Sequence, residues 1–292
     1  MSERYAFIEL EKANHHVTTL CRVLEVSRSG YYDWLEREPS QRALDDEKLL
    51  VCLRQIHSEC RGRYGQRRYV RALRRQGFEA GRGRVRRLMR LARLTATRRR
   101  KFKATTDSCH AHPVADNVLE RRFDAQRPNQ VWTGDITYIW TREGWLYLAV
   151  LIDLYSRRVI GWAMGSRITQ ELTLRALHMA LGLRRPDLGL IHHTDRGSQY
   201  AATAYCNALK EAGVTMSMSR KGDCWDNATS ESFFASLKTE LVYERTYLTR
   251  DEAVGDILIY LSWYNAHRLH STLEYVSPME FERQTSTGRQ VA

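Results

Sequence analysis

Long apolar runs are what this sequence most plainly lacks. Nowhere in its 292 residues do 18 apolar residues follow one another, and the first 30 hold no uncharged apolar stretch. That leaves no spanning helix and no signal peptide, so the expectation is a cytoplasmic chain. The six cysteines, Cys21, Cys52, Cys60, Cys109, Cys206 and Cys224, form no Cys-x-x-Cys pair. This argues against a zinc knuckle and against a disulfide framework. Cys109, His110 and His112 cluster, but no fourth ligand stands at a fitting spacing, and a loop is expected there. Solenoid-type repeats, a phosphate-binding Gly-rich loop, a nucleophile elbow and an ordered Ser/His/Asp set are all missing.

Acidic residues are scarce in one region only. Residues 61–103 hold 18 Lys or Arg against a single acid, Glu79, whereas residues 129–292 hold 17 bases against 18 acids. A formal net charge of +12 is therefore a local property of the first half. So dense a positive field repels itself unless a polyanion is its usual neighbour, and nucleic acid is the expected partner.

The N-terminal tract TTLCRVLEVSRSGYYDWLERE carries Leu20, Val23 and Leu24 at helical spacing, breaks at SRSG, and resumes with Tyr31, Trp34 and Leu35. YGQRRYVRALRRQGFEAGRGRVRRLMRLARL repeats the plan: Tyr69, Val70 and Leu73 face one way, Gly77 closes the helix, and Val85, Leu88 and Ala92 form the next stripe. Arg84, Arg86, Arg87, Arg90 and Arg93 fill the other faces of that last helix, and Arg67 and Arg68 lie on the one before. These arginines suit phosphate contacts and guanine edges in a major groove. TRRRKFKATTDSCHAHPVADN has no sustained period and is expected to be a basic linker.

After Pro128 the period changes. VWTGDITYIW, GWLYLAVLIDL and RRVIGWAMG predict three consecutive antiparallel strands, followed by a helix in TQELTLRALHMALGL, a strand in LGLIHHT, a helix over 200–212, a strand in VTMSMS and a further helix. That order describes an α/β sandwich with a mixed sheet.

Three carboxylates stand out within it. Asp135 sits inside the first strand between Ile136 and Ile139 on one side and apolar residues on the other, which predicts a polar pocket at the sheet. Asp195 ends an apolar strand, where open α/β sheets place ligands, although as a helix N-cap an Asp there would be ordinary. His193 beside it is expected mainly to pack. In CWDNATSESFFASLKTEL, Phe233, Phe234, Leu237 and Leu241 make one stripe at about 100° per residue, with Glu231 and Lys238 together on its border. Those two are expected to line one groove, each open to a ligand, whereas Glu240 is expected in solvent. Asn227 or Thr229 would cap the helix. Three carboxylates with no nucleophile suggest a magnesium site shared with phosphate oxygens.

WTGDITYI, LAVLIDLYSRRVIGW, HTDRGSQY, GDCWDNATSESFFASLKTEL and YNAHRLHSTLEYVSP together resemble the OrfB-type transposases of the IS-three insertion-sequence family, members of the retroviral integrase superfamily. The likeness extends to YGQRRYVRALRRQGF and SRSGYYDW, and 35 residues separate Asp195 from Glu231, as in that family. The resemblance implies an RNase H-like core with a mixed five-stranded sheet, preceded by a helical, helix-turn-helix-like DNA-binding region. It implies Asp135, Asp195 and Glu231 as a catalytic triad holding two Mg2+ or Mn2+ ions, and Lys238 as a contact to the element's end. Asp153, one strand away, matches a position expected to be structural. The implied reaction is cleavage at insertion-sequence ends followed by 3′-hydroxyl strand transfer on double-stranded DNA, in a bacterial, nucleoid-associated setting. Implied partners are OrfA, separate or fused by frameshifting, and at least one further copy of the chain. Glu274 stands where many relatives have Gly.

The expected division is 1–40, a helix-turn-helix-like segment; 41–104, a basic helical DNA-binding domain; 105–127, a linker; and 128–292, the catalytic domain with C-terminal helices. A DNA-binding regulator with a silent core, or an accessory OrfB subunit inactive without OrfA, is the first alternative, and an RNase H-like nuclease the second. Three carboxylates that repel DNA disfavour a purely binding role, and the basic helical units exceed what nonspecific cleavage needs.

Overall fold

The computed structural model describes residues 2–97, 115, 117–119, 125–219 and 228–289. The cluster Cys109, His110 and His112, Asn227 and most of the expected linker lie outside them. Helices α1 (Ser2–Glu11), α2 (Val17–Val23) and α3 (Arg28–Glu36) enclose a small core of Ile8, Leu20, Cys21 and Tyr31. Ser27, in the expected break, caps α3 by accepting a hydrogen bond from the Gly30 amide at 3.0 Å. Three short helices cannot cover every apolar position, so Val23 and Leu35 face solvent, unlike the expectation from their spacing.

Helix α4 (Gln41–Glu59) joins α5 (Gln66–Arg75) and α6 (Arg82–Leu91) around Leu53, Tyr69, Leu73, Val85 and Leu88. Gly77, with φ +82°, ends α5 in the left-handed conformation that a side chain would strain. The sequence periods predict α5 and α6 but not α4. Its apolar residues surround the helix: Leu49, Leu53 and Ile56 are buried while Leu44 and Val51 are exposed.

The second half folds on a sheet of β1 (Val131–Thr141), β2 (Gly144–Asp153), β3 (Val159–Gly165), β4 (Ile191–Thr194) and β5 (Thr215–Met218). The order is β3-β2-β1-β4-β5, with β1 to β3 antiparallel and β4 and β5 added in parallel. This is the mixed five-stranded, RNase H-like sheet. Helices α7 (Gln170–Arg184) and α8 (Thr203–Glu211) cover one face over Trp132, Leu151 and Ile160. On the other face, α9 (Ala228–Glu240) and α10 (Arg250–Ala266) lie on Leu148, Val150 and Ile152 through Phe233, Phe234, Leu237 and Leu261. Strand β2, interior to the sheet, is thereby covered on both faces, which is why its sequence is a continuous apolar run. The chain closes with α11 (Pro278–Arg289). Among the described residues no helix is long and apolar enough to cross a membrane.

The helical part and the sheet-bearing half meet at a buried ionic cluster. Glu240, expected in solvent, is instead 9% exposed. Arg268 Nη2 approaches its Oε1 at 2.6 Å, and Tyr260 donates to its Oε2 at 2.9 Å. Arg63, from the segment before α5, donates to the Glu240 carbonyl at 3.1 Å while its guanidinium lies 4.6 Å from the Trp263 ring centroid. A helical wheel of α9 alone cannot place Glu240, because the flank it occupies is covered by residues far away in sequence.

Candidate active site

The ladder between β1 and β4 ends with Gly134 opposite Thr194, so the next residue on each strand is an aspartate. Asp135 accepts from the Ile136 amide at 2.7 Å, and Asp195 accepts from the Gly197 amide at 3.0 Å. Asp195 therefore closes a tight turn rather than capping a helix, since α8 begins only at Thr203. Burial, then the charge of Asp195, and to a lesser degree that of Glu231, hold the Asp135 carboxyl well above its ordinary range; the Ile136 amide and Lys238 oppose them. Tyr200, fully buried, lies close enough for both aspartates to help burial push its hydroxyl pKa up. Spacing gave no signal for Tyr200 beyond its place in HTDRGSQY.

Glu231 stands in the first turn of α9 and is exposed, yet the part of it that is covered raises its carboxyl pKa through desolvation. Two contacts seat that turn. Thr133 Oγ1 on β1 and Ser230 Oγ are 2.9 Å apart and buried, and Arg157 donates to Thr229 Oγ1 at 2.6 Å. Thr229 thus serves as an acceptor inside α9. Lys238 departs from the expected groove: it is 8% exposed, with Nζ 4.7 Å from the Tyr138 ring centroid. Burial lowers its pKa, against the opposing pull of Tyr138 and Asp135. Its ammonium is engaged at the edge of β1, not open beside Glu231.

The oxygen-only donor set fits a hard divalent cation, and carboxylate neighbours that add to burial in raising the Asp135 pKa fit a site completed by positive charge. Among the described residues, no three His, Cys, Asp or Glu side chains converge tightly enough to hold a metal ion. Glu231 is thus near the aspartate pair without closing on it. His193 packs as expected, buried with Nδ1 2.9 Å from Ser217 Oγ. Asp153 is fully buried, accepting from the Asn129 amide at 2.8 Å and lying 3.0 Å from Arg184. It belongs to a framework of ion pairs.

The arginines divide into two groups. Arg67, Arg86, Arg90 and Arg93 are exposed. Arg84 pairs with Asp46 of α4 at 2.7 Å, and Arg87 pairs with the same carboxylate. Arg68 turns away from the open face, donating to the Leu269 carbonyl at 2.9 Å with Nη1 3.6 Å from Glu240. Spacing could not separate these groups, because the carboxylates that engage them lie on other elements, far away in the chain.

Comparison with known proteins gives this geometry its context. Integrase core domain families match residues 125–224 and 231–285, and an HTH-like domain family matches residues 44–102. The chain is 47% identical over 266 residues to an insertion element IS600 uncharacterized 31 kDa protein of Shigella sonnei, covering 91% of this chain and 98% of that one. It is 41% identical over 284 residues to transposase InsF for insertion sequence IS3A of Escherichia coli K12, covering 96% and 99%. A chain of the simian T-cell lymphotropic virus intasome, solved with PP2A regulatory subunit B56 gamma, aligns at TM-score 0.48 and 18% identity over 79% of this chain and 74% of its own. The chain belongs to the IS3-family insertion-sequence transposases, with an integrase catalytic core behind an HTH-like domain.

Proposed function

We propose that Asp135, Asp195 and Glu231 form the metal-binding catalytic triad of this transposase, and that one site both cleaves at the element's ends and joins the freed 3′-hydroxyl to target DNA. The observation that carries this reading is the pair of aspartates at the end of the β1–β4 ladder, with Glu231 near enough to raise the Asp135 pKa. Bound there, two Mg2+ or Mn2+ ions would activate the attacking oxygen and stabilise the leaving one in an in-line displacement. The chain's own residues do the rest. Asp135 and Asp195, fixed by backbone amides, supply two rigid ligands; Glu231, on a helix seated by Thr133 and Arg157, supplies a third that moves in as charge is neutralised.

The exposed Arg67, Arg86, Arg90 and Arg93 are the proposed DNA footprint of the domain 41–104, joined through 105–127 to the catalytic domain 128–292, with 1–40 as a separate segment. Lys238 is proposed to reach the element's end once DNA displaces its contact with Tyr138. Joining two ends requires at least two chains on the DNA, and OrfA, separate or fused, is the proposed further partner. Action on chromosomal DNA places the protein at the nucleoid.

The test is strand transfer by the purified chain on a labelled duplex of its own element's end with a pre-exposed 3′-hydroxyl, with magnesium or manganese. Joined product that disappears in Asp135→Asn supports the reading. Product retained in Asp135→Asn removes that residue from the triad.

A further inference from the structure

An open pocket of about 500 Å3 lies where the arginine faces of α5 and α6 meet. At 100° per residue, Arg67, Arg71 and Arg74 fall within about 60° of one another on α5, opposite Tyr69 and Leu73, which enter the core. Arg82, Arg86 and Arg90 recur every four residues along α6, and Arg82 lines the pocket with the three from α5. All four lining arginines are exposed, and among the described residues none of the lining is acidic. One carboxylate reaches them: Glu79, itself 82% exposed, lies 3.4 Å from Arg74.

Two further features prepare this pocket for an anion. Tyr275, brought from the turn before α11, forms part of its wall, with the Arg71 guanidinium carbon 5.0 Å from the ring centroid. That turn holds two successive left-handed residues, Glu274 at φ 53° and Tyr275 at φ 62°, a costly conformation for side chains of this size. Gly81, the N-cap of α6, also lines the pocket. Its φ of −70° is open to any residue, and an added Cβ would meet nothing within 4 Å. The glycine is not required by the backbone, and it leaves the first-turn amides of α6 bare of any capping side chain beside the arginines. Guanidiniums held by a ring, next to open amides at a helix N-terminus, are the recognition chemistry of a phosphate.

The α6 stripe selects the source of that phosphate. From Arg82 to Arg90 is about 12 Å of helix axis, and a DNA strand carries a charge about every 3.4 Å. A backbone following Arg86 and Arg90 therefore brings a phosphate to the pocket at the end of the stripe. We propose that the pocket seats one phosphate of the DNA backbone between the helical domain and the sheet-bearing half, fixing DNA held by α6 relative to Asp135 and Asp195. The inference deepens the reading of the helical domain as the DNA footprint and rests on it.

The experiment compares the full chain with Arg71→Gln and Gly81→Asp, separately and combined. Affinity for an element-end duplex is measured between about 50 and about 200 mM salt. Asp is a favourable N-cap, so Gly81→Asp is expected to melt no lower than the wild type while placing a carboxylate in the pocket. Each single variant is expected to lower the slope of log K against log salt by about one, shrinking the affinity ratio across that range about three- to four-fold. Because both act on one phosphate, the double variant is expected to lower it no further. Wild-type slopes in both single variants overturn the proposal; a drop of about two in the double variant shows a diffuse field and overturns it as well. Tyr275→Leu keeps every charge and is expected to weaken binding about two- to five-fold at an unchanged slope, through loss of the hold on Arg71. Wild-type affinity there overturns the joint site. Inorganic phosphate that raises the melting temperature of the wild type but not of Gly81→Asp, with DNA slopes unchanged, would show a free-anion pocket and overturn the DNA source. Failure of the footprint reading is separate: it appears as a wild-type slope when Arg86 and Arg90 are both replaced by Gln, whatever the pocket variants do.

Discussion

Asp135 and Asp195 stand side by side because β1 and β4 run parallel and their ladder stops one residue earlier, at Gly134 and Thr194. Two carboxylates 60 residues apart in the chain are thus joined by backbone register, and burial, then the charge of Asp195, raises the Asp135 pKa. Replacing Asp135 with Asn removes both a proposed ligand and a source of repulsion. Cleavage is expected to fall by more than about 100-fold, beyond the loss typical of an outer-shell metal partner. The melting temperature without metal is expected to rise, and its increase on adding magnesium to shrink. A calorimetric scan with and without magnesium checks both.

Glu240 and Arg268 form a buried pair at the junction of the two halves. Glu240→Ala leaves Arg268 without its counter-charge, and breaking such a pair typically costs about 3–5 kcal/mol. Chemical denaturation is expected to show a loss of that size, with Arg68 losing its contact to the carboxylate while Arg63 keeps the backbone carbonyl of residue 240. A loss below about 1 kcal/mol would mean that the cluster is solvated.

Glu282 gives a pH prediction. Burial favours its protonated form, but hydrogen bonds and charge from Arg184, aided by Ser156 and Arg158, outweigh this and hold the pKa below its ordinary value. A depressed folded-state pKa means stability present above the unfolded value of about 4.3 and lost as pH falls through the folded one. Glu282→Gln is expected to unfold more readily at neutral pH, by about 1–3 kcal/mol, and to lose less further stability on acidification than the wild type. Urea midpoints across this pH range measure the difference.

Arg86 and Arg90 are exposed, whereas Arg84 and Arg87 hold Asp46. Replacing Arg86 and Arg90 with Gln is therefore expected to lower the salt slope of DNA binding by about two. The pair Arg84→Gln and Arg87→Gln is expected to lower it less and to loosen α6 from α4. Equal slopes for the two double variants would refute that division.

Glu274 has φ 53°, in the left-handed region. Gly adopts that conformation without steric cost. Glu274→Gly is expected to stabilise the chain by up to about 1 kcal/mol, relief of strain being partly offset by greater freedom of the unfolded chain. Thermal denaturation reads the sign directly.

Much of this protein was legible in local pattern. Apolar, β-branched and aromatic runs between turn residues mark the strands, the stripe Phe233, Phe234, Leu237 and Leu241 predicts the buried face of α9, and the run from Arg61 to Lys103 marks the basic region. These features follow from periods of two and 3.6 residues and from summed charge, which need no knowledge of distant partners. Helix α4 escaped because apolar residues surround it, and Tyr200 because nothing in its spacing ties it to the aspartates.

The sequence by itself determined the elements, their order and the three carboxylates worth suspecting. Only the tertiary structure decided which charges are open. Parallel register set Asp135 beside Asp195; the covering of one flank of α9 buried Glu240; the edge of β1 captured Lys238; and Asp46 and Leu269 engaged three of the arginines. The reason is physical: the fate of a charged side chain depends on solvent and partners brought from elsewhere in the chain, and neither is encoded in its neighbours.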